Sequence, residues 1–372
     1  MSTTTDPVVV PPVVSESGAP SSDAGGTRRR LVALARWVGA IVIAVVVFGV
    51  LVATRGANPF SVFSDAISST LFNATSVQEI VIKAGPMALA ALAVVIPARA
   101  GLVNVGGEGQ LLVGAVAAGG TALLLDRSAP GVVVMIAMGV AGALAGAVWA
   151  GLAGLLRLTA GVNEAVTTLL LNYVALDLLL FLIYQPWRDT AGSGQPTTRP
   201  LADGAKLPVL TGTSIHVGIG LVLLAALATW VLLNRTVWGF TLSTIGGNPE
   251  AARRAGIPVP RMMLTSLLYG GGLAGIGGMI HFAGVEYQLR PGILVMIGYS
   301  GFLASWLGRH RVLPVLIASL VLSALIVSGD SLQLDSDLPA ATANVLTGLV
   351  LVAVLGWTGS RPWIRNRKKA TS

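Results

Sequence analysis

Long apolar stretches separated by short polar breaks run through this chain from about residue 31 to residue 358. A run of roughly 20 apolar residues is enough for a helix to cross the hydrocarbon core of a bilayer. Runs near that length fall at about 31–52, 80–97, 102–125, 131–156, 163–184, 215–233, 262–283, 293–307, 312–328 and 340–358. They predict an all-α fold, a polytopic transmembrane helical bundle of about ten spans. The second and eighth runs are short and interrupted, by Gly85-Pro86 in one and by Gly298 and Gly301 in the other. Either could be a partial span, and non-helical backbone is tolerated at membrane depth only where protein or a watery cavity covers it.

The ends of the chain have a different character. Residues 1–27 are rich in Thr, Ser, Pro and Gly without apolar periodicity, which predicts a disordered cytosolic tail. Arg28-Arg29-Arg30 then precedes an apolar run of full spanning length with no cleavage site, so the run is read as the first span and not as a signal peptide. The transmembrane domain is placed at 28–360 and a basic cytosolic tail at 361–372.

Charge supplies the orientation. All Lys and Arg residues fall on one side of the predicted topology except Arg55, Lys83, Arg127, Arg188, Arg199, Lys206 and Arg290. The positive-inside rule therefore places both termini and the 234–261 loop in the cytosol, which requires an even number of spans. The largest external segment is then about 185–214, with Tyr184 and Trp187 as interface anchors.

Composition narrows the function. With 54% hydrophobic and 11% charged residues in 372, and a mean hydropathy of +0.79, no sizeable soluble domain fits. A net charge of +8 does not indicate nucleic acid, because the basic residues sit between spans and not on one accessible face. The absence of cysteine excludes disulfides, thiolate nucleophiles and cysteine-ligated metals, and His216, His281 and His310 are far apart in the sequence. No metal site is expected.

One break has the grammar of a small capped helix, Gly246-Gly247-Asn248-Pro249-Glu250-Ala251-Ala252-Arg253-Arg254-Ala255-Gly256. Asn248 suits an N-cap, Pro249 the first helical position, and Glu250 the positive helix start. Arg253 and Arg254 complement the other end, and Gly256 can close it in the left-handed conformation. A helix of about two turns is expected, either an ordinary capped loop or a rigid element on which an ATPase docks.

Polar residues inside the apolar runs are the remaining candidates. Asn104, Glu108 and Gln110 lie among Gly101, Gly106, Gly107 and Gly109 at the start of a span. Without a preceding strand these glycines do not make a dinucleotide site. A carboxylate at this depth is costly, so Glu108 is expected to be paired, protonated or facing a cavity. Asn163, Glu164, Thr167, Thr168, Asn172 and Asp177 share another span. Glu164, Thr168 and Asn172 recur every four residues and form one stripe, which suits either a substrate pathway or interhelical hydrogen bonding. The small-residue series Gly142, Gly146, Ala150, Gly154 and the glycine-rich stretch 270–278 predict close helix packing. Tyr287, Gln288 and Arg290 lie at an outer edge, where Gln288 could face a substrate entrance.

The stretch TIGGNPEAARRAGIPVPRM resembles the cytosolic coupling region of ABC-importer permeases of the ribose, branched-chain amino acid and nucleoside family. GLVNVGGEGQLLVGA, GVNEAVTTLLLNYVAL and YQLRPGILVMIGYSGFLASWLGRHRVLPVLIASLVLSAL more narrowly resemble its nucleoside and simple-sugar branch. The likeness covers about 80–358. It implies a bacterial plasma-membrane permease subunit that works with a second permease subunit, cytosolic ABC ATPases and an extracellular solute-binding lipoprotein. Nucleosides or related ribosides are the implied substrates, with simple sugars as the alternative. The chain has no Gly-Lys dipeptide and hence no P-loop, so ATP and Mg belong to the partner ATPases and no cofactor is expected here. An ion-coupled secondary transporter stays open as a rival because Glu108, Glu164 and Asp177 could form a relay. A membrane enzyme lacks a visible nucleophile–base constellation.

Overall fold

The computed structural model describes residues 45–336, without 51, 55, 57, 126–127 and 193, and a few isolated positions on either side. Its helices are α1 (Val45–Thr54), α2 (Pro59–Leu71), α3 (Ala74–Arg99), α4 (Gly107–Leu125), α5 (Gly131–Ala160) and α6 (Glu164–Tyr184). There follow α7 (Gly218–Arg235), α8 (Val237–Gly247), α9 (Pro249–Arg254), α10 (Val259–His281), α11 (Ile297–Leu307) and α12 (Val312–Ser336). A π-helical turn, Phe282–Glu286, extends α10. Asparagines start several helices, the side chains of Asn58, Asn73 and Asn163 accepting amide hydrogens from the first turns of α2, α3 and α6.

Seven of these helices are long and apolar enough to cross a membrane, and an eighth crossing is counted if the pair α1–α2, bent by 115°, is one span. The predicted spans at 31–52, in part, and at 340–358 lie outside the described residues, as do both predicted tails. Of the two interrupted runs, the second and the eighth, the second is not a partial span. It is an unbroken helix of 26 residues with Pro86 and Pro97 inside it. Surrounding helices bury most of it, so the amide bonds that the prolines remove are shielded by protein and not by lipid. The eighth is partial: α11 has 11 residues, about 16 Å of rise against a hydrocarbon core of roughly 30 Å.

The bundle is organised around α10, which packs on α5, α3 and α4. Glycines let it do so. A methyl group on Gly275 would overlap the carbonyl of Gly142, and one on Gly271 would overlap that of Gly146, so the two small-residue series meet backbone to backbone. Lys83, paired within α3 to Glu79 at 2.8 Å, ties α3 to α12 through Asp330 at 2.6 Å.

Candidate functional site

The link between α3 and α4 does not stay at the end of the bundle. Gly101 turns it in the left-handed conformation, φ 78°, and Asn104 Nδ2 donates to the carbonyl of Ala93, well inside α3, at 3.1 Å. An extended strip of backbone at depth needs partners for its amides. The polar stripe of α6 supplies them. Glu164 Oε1 accepts from Val103 N (3.1 Å), Thr168 Oγ1 from Val105 N (3.1 Å) and Asn172 Oδ1 from Gly109 N (2.8 Å). Asn172 Nδ2 also donates to the Val105 carbonyl at 3.1 Å and to Tyr299 Oη at 3.2 Å.

The remaining polar residues of the link are satisfied locally. Asn104 and Gln110 are fully buried and exchange two hydrogen bonds, at 3.1 and 2.9 Å. The Glu164 carboxylate, buried at 5% exposure, pairs with Arg157 of α5. Thr167, one position off the stripe, bonds only its own helix through the Asn163 carbonyl. Asn163 itself is an exposed cap.

Glu108 is the most consequential member. Its Oε1 accepts from Met296 N at 2.7 Å, and its Oε2 from Gly298 N at 2.6 Å and Tyr299 N at 3.3 Å. These are the first amides of α11, which begins in mid-bundle and would otherwise leave them unpaired. A carboxylate at the positive end of a helix is electrostatically favoured. The expectation that Glu108 is paired, or faces a cavity, is met on both counts. It lines a cavity of about 230 Å³ with Asn172, Tyr173, Leu112, Leu176 and Tyr299. Both oxygens of Glu108 are engaged, so the polar groups left free on the wall are the hydroxyl of Tyr173 and the hydroxyl proton of Tyr299.

Of the predicted pathway residues, Glu108 and Asn172 line the cavity. Glu164 and Thr168 brace the link, Asn104 and Gln110 brace each other, Asn163 caps a helix, and Gln288 is half-buried further out. Tyr173, Met296 and Tyr299 escaped the sequence reading, because a tyrosine in an apolar run carries no local sign that it faces a cavity.

The capped helix is present as α9. Asn248 Oδ1 accepts from Glu250 N and Ala251 N at 3.1 and 3.0 Å, and Gly256 adopts φ 79°. Glu250 pairs with Arg253 and Arg254 at 2.9 and 3.2 Å on the exposed face, while Ala252 is buried. Gly246 and Gly247 belong to the preceding helix α8 and not to the polar insert. Gly246 abuts the Arg99 carbonyl and Gly101, at the root of the α3–α4 link.

At the other end, the 185–214 segment folds onto the turn after α10. Thr198 N donates to the Leu289 carbonyl at 3.0 Å, Leu289 N to Thr198 Oγ1 at 2.9 Å, and Leu201 N to the Tyr287 carbonyl at 2.7 Å. A second cavity, of about 390 Å³, lies beneath it with Asp189 and Arg199 on its wall. Arg290, outside the spans, is held above the ordinary arginine range by hydrogen bonding to Glu286.

The family described as "Branched-chain amino acid transport system / permease component" matches residues 76–355. A glucose ABC transporter permease of Haloferax volcanii is 33% identical over 85% of each chain. A guanosine ABC transporter permease of Bacillus subtilis is 29% identical over 72% of this chain and 78% of its own length. A nucleoside ABC transporter permease of Lactococcus lactis subsp. cremoris is 26% identical over 87% of this chain and 90% of its own. No solved structure matches the chain.

Proposed function

Since the chain belongs to the branched-chain amino acid transport system permease family and is the multi-pass permease subunit of an ABC importer, we propose that it carries nucleosides or related ribosides inward by alternating access, with the cavity between α4, α6 and α11 as its central site. The chemistry of the cavity wall carries this reading. Two tyrosines, each with a free phenolic proton, and several leucines suit the flat face and polar edge of a base. A hexose has no aromatic ring to lay against these tyrosines. The sugar alternative rests on the likeness to the glucose permease, and the guanosine and nucleoside permeases among the relatives favour the riboside. The ion-coupled rival falls with the family assignment.

The coupling path is contiguous. Helix α9 offers an exposed, capped surface to an ATPase, and its neighbour α8 presses Gly246 on Arg99 and Gly101. From there the α3–α4 link runs to Glu108, which holds the start of α11 at the cavity. Closure of the ATPases, transmitted along this path, would shift α11 and open the cavity to one side or the other. A second permease subunit and an external solute-binding lipoprotein complete the assembly. We read the topology as ten crossings with both termini cytosolic: the run at 31–54, seven described spans, the broken 287–307 segment and the run at 340–358.

The test is ATP-dependent uptake by the purified complex and its binding protein in proteoliposomes. Labelled uridine or adenosine should accumulate and compete with each other, and a hundredfold excess of glucose should not compete. Uptake of glucose without nucleoside uptake would overturn the substrate assignment.

A further inference from the structure

At the end of the bundle carrying α9, a cavity of about 750 Å³ opens between α3, α7, α8 and the start of α12. Its wall carries Arg99, Arg309, His310 and Arg311, with Trp230 and Asn234 opposite and no carboxylate. None of the three arginines has an ion-pair partner among the described residues. The carboxylates described at this end, Glu164 and Glu250, are already engaged by Arg157 and by Arg253 and Arg254. Helix α12 begins at Val312 on the same wall, so its positive end adds to the field. Burial and the charge of Arg99 hold the His310 imidazole below its ordinary pKa, so His310 is a neutral member of the wall. Three guanidinium groups without an ion-pair partner among the described residues, set around an open cavity, form an anion site that no described residue fills.

The surroundings identify the anion. From Leu313 in the cavity wall the exposed surface of α12 continues one helical turn on to Ile317, both apolar. The two side chains are 66% and 54% exposed. A free phosphate or an acidic peptide would use the arginines and leave this apolar surface idle. A lipid uses both. Trp230, stacked 5.4 Å from the Arg235 guanidinium, marks the interface depth at which a headgroup sits. We propose that this pocket holds the phosphate headgroup of an anionic phospholipid, with an acyl chain along α12. Because Gly246 of α8 also lines the pocket, the lipid would brace the segment that leads into α9.

The experiment uses the full transporter complex, purified in detergent and stripped of lipid, with phosphatidylglycerol, phosphatidylcholine and inorganic phosphate as separate probes. Melting temperature and lipid retained in native mass spectra are the readouts. Phosphatidylglycerol should raise the melting temperature and stay bound, and the other two should do neither. Replacing Arg309→Gln with Arg311→Gln should weaken phosphatidylglycerol binding about 30-fold, taking each interfacial basic residue at its usual contribution. Arg309→Lys with Arg311→Lys should restore most of it, and Arg261→Gln, elsewhere on the same end, should change nothing. If the double variant fails to assemble, Arg311→Gln alone should show about a fivefold loss. Equal phosphatidylglycerol binding by wild type and variant would overturn the proposal. So would an equal response to inorganic phosphate, or a variant that keeps its lipid and sheds its ATPases, which would make the pocket an acidic-protein contact.

Discussion

Replacing Glu108 by Gln tests whether the buried carboxylate is what holds the start of α11. The native group offers acceptors on both oxygens, to Met296 N at 2.7 Å and to Gly298 N and Tyr299 N at 2.6 and 3.3 Å. Glutamine keeps one acceptor and turns an NH₂ donor toward an amide donor on the other side. One charge-assisted hydrogen bond, about 1.5–3 kcal/mol, is lost outright. The interaction with the helix dipole, about 0.3–1 kcal/mol and up to 2 where partly buried, weakens as well. Against this, a neutral amide is cheaper to bury than a carboxylate, which returns part of the loss. The net expectation is a destabilisation of about 2–3 kcal/mol concentrated at the α11 start. It should appear as a lowered melting temperature of the complex and as faster amide exchange at Gly298 and Tyr299, with exchange in α5 unchanged. Transport per folded complex should fall too, because α11 forms one wall of the cavity. A Glu108→Gln protein with unaltered exchange at these amides would refute the capping role.

Asn172→Leu removes the acceptor of Gly109 N and the donor to Val105 O and Tyr299 Oη, and should cost about 2–4 kcal/mol of stability and lower transport per folded complex. Thr167→Val, which loses only an intrahelical bond, should stay within about 0.5 kcal/mol in the same melting and uptake assays; normal transport by Asn172→Leu with a lowered melting temperature would remove Asn172 from the pathway. Glu250→Ala with Arg254→Ala breaks only exposed ion pairs, worth about 0–1 kcal/mol, so membrane insertion should persist while ATPase recovery and transport drop; normal transport would remove the docking role of α9. Cysteines introduced at Thr213 and Asn248, both exposed, start from a cysteine-free background, and an impermeant maleimide should label the first from outside the cell and not the second.

The run lengths and the caps were legible because they depend on local chemistry. An apolar stretch of sufficient length must be a helix in lipid, and Asn248-Pro249 with Gly256 defines the ends of α9 through bonds that span two or three residues. The Glu164, Thr168, Asn172 stripe was legible as a stripe for the same reason, since helical periodicity alone puts the three on one face. Its partner was not legible. The α3–α4 link that the stripe grips lies some sixty residues away, and nothing near Val103, Val105 or Gly109 announces which helix will satisfy their amides. Pro86 left the second span open in the sequence because a proline breaks a helix by local rules, whereas burial by neighbouring helices allows α3 to run through it. Glu108 shows the division most clearly. Its cost at membrane depth required a partner, but that the partner is the amide end of a half-helix some 190 residues later was decided by packing, because only the folded bundle brings the start of α11 beside the start of α4.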